Sequence, residues 1–218
     1  MLLLEQRQQV VDHARRCQAE GLIVGTAGNL SIAVGDNVAM TPSGVDYAEL
    51  TAEDVVVVDR AGELVEGNLL PSSEWQLHLA IYEAHGPSAV VHTHSPYATA
   101  VSTLVDELPA MHYHISLLGG PVPVAPYATF GSRELAESVT TALADRKGTL
   151  MQNHGAVTVG SSLADAFKLS QSLEWLAQIF CIGHSVGSPR LLSDEDIEDV
   201  KRAGAALRAR RSVMPGWR

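Results

Sequence analysis

Four valines in succession, Val55 to Val58, leave little choice of conformation. A β-branched run without polar alternation reads as a buried strand, and Asp59-Arg60-Ala61-Gly62 reads as the turn that closes it. Ala89-Val90-Val91-His92-Thr93-His94 reads as another strand, and residues 22–41 mix short apolar runs with Gly, Asn and Ser as a hairpin does. Elsewhere the spacing is helical. Residues 3–20 place Val10, Val11, Ala14 and Cys17 on one face, with Gly21 as the stop. A helix is expected from Ser72, with Ser72 or Ser73 as its cap, Glu74 in its first turn and Gly86-Pro87 at its end. Ser95 to Leu104, Arg133 to Ala144 and Ser162 to Ile182 also read as helices. The last helix starts at Ser193, with Asp194, Glu195 and Asp196 in its first turn and Arg208, Arg210 and Arg211 near its end, as the helix dipole favours. Thr149 to Val159 reads as a strand, and residues 121–127, with three prolines, as an extended connection over the surface. Strands alternating with helices in 218 residues predict one α/β domain over 1–218.

The balance of 25 acidic to 15 basic residues disfavours a nucleic-acid backbone or an anionic membrane surface as partner. A small phosphate ester is still compatible, because backbone N–H groups bind one locally whatever the overall sign. Cys17 and Cys181 lie far apart in helical segments, so both are expected as buried small side chains rather than a disulfide. The apolar start Met1 to Leu4 meets Glu5, Gln6 and Arg7 at once, too soon for a signal peptide, and the expected compartment is the cytoplasm.

His92 and His94, two apart on a strand, leave the same face with Cβ atoms about 7 Å apart, near enough to converge on one ion. His154 lies in the segment Leu150-Met151-Gln152-Asn153-His154, directly before Gly155, where the chain can turn to bring in a third imidazole. Three protein ligands leave a position open for substrate, as in a catalytic zinc site. By themselves, histidines in these settings are equally compatible with hydrogen-bonded core or surface groups. Glu74 offers a carboxylate at a helix start, and His78 is a rival on the same helical face; spacing does not choose between them.

Gly25-Thr26-Ala27-Gly28-Asn29-Leu30-Ser31 joins glycines to small polar side chains and can aim N–H groups at an anion. It lacks the Gly-Lys-Ser/Thr of a Walker loop. Thr41-Pro42-Ser43-Gly44 and Pro71-Ser72-Ser73 are two more such turns, the second opening a helix. Each alone is an ordinary turn; together, and joined to Glu74, they suggest a phosphate pocket.

Taken in order, these motifs, with Glu74-Trp75, His112-Tyr113, Ala125 to Gly131 and Asn153-His154-Gly155, resemble the class II aldolase/epimerase (aldolase/adducin) family over roughly residues 5–205. The resemblance implies a single three-layer α/β/α domain with a largely antiparallel central sheet, assembled as a homotetramer with active sites between subunits. It implies a zinc ion in each subunit held by His92, His94 and His154, with Glu74 as the resting fourth ligand that moves away to act as acid and base, and it leaves His78 structural. It assigns Gly28, Asn29, Ser43, Gly44, Ser72 and Ser73 to the phosphate, with Thr26 nearby. Tyr113 would reach in from the neighbouring subunit as proton donor at the aldehyde oxygen, and Phe130 would line the aldehyde end.

The implied reaction is retro-aldol cleavage of a ketose 1-phosphate, of the L-fuculose 1-phosphate type, to dihydroxyacetone phosphate and a short aldehyde such as L-lactaldehyde. The three lysines, Lys147, Lys168 and Lys201, lie outside every motif, which disfavours a Schiff base as the electron sink. The family's aldolases of this type carry a C-terminal tyrosine, and Gly204-Ala205-Ala206-Leu207-Arg208 has none, so a 5-deoxyribulose 1-phosphate aldolase is the alternative. An L-ribulose-5-phosphate 4-epimerase is a further alternative, though the family's epimerases carry Asp where this chain has Glu74, and Asp-Tyr where it has His112-Tyr113. A non-catalytic relative would have lost ligands that are all present here.

Overall fold

The structure, a computed structural model, describes residues 1–86 and 88–212. Pro87, expected at a helix end, the side chain of Arg211, and residues 213–218 of the single-domain reading lie outside the described residues. The chain runs α1 (Leu4–Ala19), β1 (Asn29–Val34), β2 (Asn37–Met40), β3 (Val56–Asp59), β4 (Leu64–Glu66), α2 (Trp75–His85), β5 (Ala89–Thr93) and α3 (Pro96–Ser102). It continues β6 (Glu107–Leu108), a 3-10 helix (Tyr113–Leu118), β7 (Val122–Ala125), α4 (Arg133–Leu143), β8 (Gly148–Met151), β9 (Gly155–Gly160), α5 (Leu163–Val186) and α6 (Asp194–Ser212).

The strands form one sheet in the order β4-β3-β2-β1-β5-β9-β8-β7-β6. Every pairing is antiparallel except β7 with β8. Val57 and Val91 face α1 and α5, packing with Val10, Val11, Ala14 and Phe167. Their neighbours Val56, Val58 and Val90 face α2 and α4, packing with Leu77, Ile81, Leu135 and Val139. The valine run lacks polar alternation because both its faces are covered, and each such side chain stabilises by about 1.5–3 kcal/mol relative to exposure. Farther along the sheet, Leu150 and Ala156 pack against Leu169, Leu173 and Phe180 of α5. Helices on both faces of a mostly antiparallel sheet make the three-layer α/β/α arrangement.

Two expectations about the strands fail. The stretch from Thr149 to Val159 is two strands, because Asn153 adopts a left-handed φ of 56° and turns the chain so that Met151 pairs with Gly155. Asn tolerates that conformation better than most residues. Residues 121–127 do not cross the surface: Val122 to Ala125 form β7 inside the sheet. Pro123, within β7, is tolerated because the pairing with β6 on that side is just Glu107↔Pro123 and Leu108↔Val122. The helix at 162 is longer than expected and runs to Val186. Cys17 is buried as expected, but Cys181 is only partly so; both are free thiols. Among the described residues no helix is long and apolar enough to cross a membrane.

Candidate metal centre and adjoining cleft

Three parts of the sheet's central edge meet at one point. His92 is the next-to-last residue of β5 and fully buried, His94 lies one residue beyond that strand, and His154 sits in the β8–β9 turn. Their ring centroids are 4.8–4.9 Å apart, pair by pair. His92 Nε2 lies 2.9 Å from His94 Nε2 and 3.1 Å from Glu74 Oε2, and His154 Nε2 lies 3.5 Å from Glu74 Oε1. One ligand atom from each of the four lies within 4.8 Å of all the others.

The start of α2 differs from expectation in a way that matters. Glu74 itself occupies the N-cap position, and neither Ser72 nor Ser73 caps the helix. Instead the Glu74 backbone N–H donates to Ser72 Oγ at 3.2 Å. The Glu74 side chain is therefore free to turn inward toward the histidines. Burial alone would raise its pKa, but His92, His154 and the Asn29 amide outweigh burial and hold the carboxyl below the usual carboxylate range. Burial alone would likewise lower His92, yet the Glu74 carboxylate beside it raises it. His94 and His154 are pushed down to about 3 and about 4, first by burial and then by the neighbouring His92. Both are neutral at physiological pH, as a metal ligand must be.

This donor set fits a divalent ion. Three imidazoles and a carboxylate are zinc's usual partners, and a tetrahedral site with bonds of 2.0–2.1 Å puts donor atoms about 3.3 Å apart. His92 Nδ1 donates to the Ala156 carbonyl at 3.0 Å, which leaves its Nε2 lone pair facing the His94 nitrogen. Two ring nitrogens that close need a proton on one of them or a cation between them. Glu74 Oε1 is buried with no hydrogen-bond partner, as an oxygen reserved for an ion would be.

Beside the cluster lies a cleft of about 290 Å³. Thr26, Gly28 and Asn29 line it from the loop into β1, Ser43 and Gly44 from the turn after β2, and Ser72 and Ser73 from the start of α2. Glu74, His94 and His154 form its floor, and Phe130 its rim. Gly28 is required there: its φ is 92°, and a Cβ would meet the His92 carbonyl oxygen at 2.8 Å. Tyr47 donates to the Gly28 carbonyl at 2.6 Å and pins the loop. The backbone N–H groups of Ser43 and Ser72 are already given to the carbonyls of Leu70 and Thr41. These serines offer hydroxyls to a ligand rather than amides. Asn29 keeps its side chain for Glu74, donating to Oε2 at 2.9 Å.

His92 lies behind this surface, and Tyr113 does not line the cleft of its own chain; it is half exposed on the 3-10 helix. His78 turns away from the metal cluster, its ring bonded to Ser31 and Asn29. The cleft also includes Tyr127 and Asn153, to which sequence reasoning gave no role although both lie in the quoted motifs. No lysine lines it among the described residues.

The sequence matches the family described as Class II Aldolase and Adducin N-terminal domain over residues 8–181. It is 38% identical over 205 residues, covering 93% of this chain and 96% of the relative, to the 5-deoxy-D-ribulose 1-phosphate aldolase of Bacillus thuringiensis serovar kurstaki. It is 43% identical over 193 residues, 87% of this chain and 89% of the relative, to the L-fuculose phosphate aldolase of Escherichia coli strain K12. A solved structure of an L-fuculose 1-phosphate aldolase superposes with a TM-score of 0.89 at 37% identity, covering 92% of this chain and 96% of that one.

Proposed function

Since the chain belongs to the class II aldolase and adducin family, we propose that it cleaves a ketose 1-phosphate of the L-fuculose 1-phosphate type in a zinc-dependent retro-aldol reaction. The products are dihydroxyacetone phosphate and a short aldehyde such as L-lactaldehyde. The observation that carries this reading is the Glu74-His92-His94-His154 cluster opening onto a cleft of small hydroxyl and glycine turns.

His92, His94 and His154 would hold the zinc, which when bound would supply a Lewis acid for the negative charge left on the ketose fragment, worth several kcal/mol. The chain's own groups do the rest. Thr26, Gly28, Ser43, Gly44, Ser72 and Ser73 hold the phosphate at the far side of the cleft, and Asn29 has one amide N–H left to add. This fixes the C2 and C3 oxygens over the histidines. In the condensation direction the Glu74 carboxylate takes a proton from C3 of dihydroxyacetone phosphate, and the Tyr113 phenol gives one to the aldehyde oxygen. Cleavage reverses both transfers as the C3–C4 bond opens. Phe130, two-thirds exposed, covers the aldehyde end.

Tyr113 acts in the cleft of a neighbouring subunit, within a cytoplasmic homotetramer. Its half-exposed ring and its place outside its own cleft support this part of the reading. A second substrate has specific support: the Bacillus relative is named for 5-deoxy-D-ribulose 1-phosphate, whose cleavage between C3 and C4 would release acetaldehyde, and this chain lacks the C-terminal tyrosine expected of the fuculose type.

A panel assay decides. Zinc-loaded protein is incubated with L-fuculose 1-phosphate, 5-deoxyribulose 1-phosphate and L-ribulose 5-phosphate, following dihydroxyacetone phosphate release. Release from a ketose 1-phosphate, abolished by chelation and restored by zinc, is expected. Conversion of L-ribulose 5-phosphate to D-xylulose 5-phosphate without free aldehyde would make the protein an epimerase instead.

A further inference from the structure

Behind the metal cluster, a file of buried polar groups runs from β1 to α2. Tyr82 OH lies 2.6 Å from Ser31 Oγ, Ser31 Oγ 2.6 Å from His78 Nδ1, His78 Nε2 2.5 Å from Asn29 Oδ1, and Asn29 Nδ2 2.9 Å from Glu74 Oε2. All five side chains are at least nine-tenths buried.

Hydrogen-bond capacity fixes the direction of every link. An ionised carboxylate only accepts, so the Asn29 amide must turn its NH2 toward Glu74 and its carbonyl toward His78. His78 Nε2 must then carry the proton. Burial holds the His78 pKa down at about 3, so the ring is neutral and its Nδ1 accepts from the Ser31 hydroxyl. Ser31 in turn accepts from Tyr82. Were the Asn29 amide reversed, its carbonyl would confront the carboxylate and its NH2 the His78 N–H. Neither contact would bond.

We propose that His78 is a positioning residue: by fixing the orientation of the Asn29 amide, it holds Glu74 Oε2 in place and leaves Oε1 facing the ion site. The inference rests on the aldolase reading for its effect on turnover, but its effect on metal binding stands apart from any substrate. Loss of such an outer-shell partner typically lowers metal affinity or activity by about 10–100-fold.

The test compares His78→Leu with His78→Gln in the full chain. The first removes donor and acceptor; the second keeps one of each. Zinc dissociation constants are measured by chelator competition, with thermal unfolding of the metal-free proteins alongside. His78→Leu should weaken zinc binding by about 10–100-fold, and His78→Gln should stay within about threefold of wild type. With L-fuculose 1-phosphate, the Leu variant should lose kcat while KM stays near wild type. Zinc affinity and kcat unchanged in a folded Leu variant would overturn the proposal, as would equal losses in both variants, which a role in packing alone predicts. Should the Leu variant fail to fold, Ser31→Ala removes only the hydroxyl that sets the tautomer. Weakened zinc binding is expected there too, and wild-type affinity would overturn the proposal. If zinc binding responds as expected but wild-type protein cleaves no ketose 1-phosphate, the aldolase reading fails and the positioning role stands.

Discussion

A Cβ on Gly155 would sit 2.2 Å from the carbonyl oxygen of Thr93, so the β8–β9 turn reaches the end of β5 only because residue 155 has no side chain. That contact sets His154 beside His92 and His94. Gly155→Ala should push the turn outward, lowering stability by about 1–3 kcal/mol and zinc affinity with it. Denaturant unfolding and metal analysis check this together; full zinc occupancy in the variant would mean that the turn tolerates the shift.

His94 is partly exposed at the cleft floor, and its removal leaves no buried charge behind. His94→Ala should therefore unfold little more readily than metal-free wild type while losing more than about tenfold in zinc affinity and nearly all turnover. Activity that survives within tenfold would remove His94 from the ligand set.

Glu74→Gln keeps an oxygen for the Asn29 amide N–H and the volume of the side chain, but loses the proton-accepting carboxylate. At saturating metal the three histidines should still hold zinc, with an affinity lowered at least as far as in His78→Leu, while turnover falls by about 10²–10⁴-fold. Metal content and steady-state kinetics on the same preparation separate the two effects. Full activity would take Glu74 out of the proton transfer.

Removing the metal should be reversible and should depend on pH. Protons compete first for His92, which the Glu74 carboxylate holds above its ordinary value, and for His94 and His154 only near pH 4, so zinc should leave progressively as pH falls from about 6 toward 4. Dialysis across that range, followed by zinc analysis, tests it.

At high pH the fold should lose stability through its buried thiol and phenols, Cys17 and Tyr47 among them. Burial raises the Cys17 thiol from 9.0 to about 12 and the Tyr47 phenol from 10.0 to about 12. Between those values the unfolded chain releases protons that the folded chain keeps. Stability is thus fully present below pH 9 and declines as pH rises toward 12, by up to about 1.4 kcal/mol per pH unit for each group. Guanidinium midpoints at pH 8 and pH 10.5 should differ accordingly, and Cys17→Ala should flatten the slope. An equal slope in the variant would assign the effect elsewhere.

Much of this was legible in the residues. The Ala89 to His94 run placed two histidines on one face because side chains alternate along a strand, and they converge although the strand ends at Thr93. The three small polar turns were each unremarkable, and they come together only because β1, β2 and α2 start or end at the same edge of the sheet. The prolines of residues 121–127 suggested a surface segment, since a missing N–H tells against a central strand. Nothing in that stretch announced that its neighbour would be a two-residue strand. The roles of Ser31 and Tyr82 left no local signal, since a buried hydroxyl pair has no characteristic spacing.

Local order determined most of the elements, the family resemblance and the candidacy of the three histidines, because apolar periodicity and side-chain alternation are properties of neighbouring residues. Glu74 and His78 lie four residues apart at one end of α2, and spacing alone did not say which would face the histidines. That was decided by how α2 docks on the sheet through Leu77, Ile81 and Tyr82 against Val56, Val58 and Val90. Docking is set by apolar surface buried between segments distant in sequence. It turns the Glu74 carboxylate toward the ion site and the His78 ring into the core.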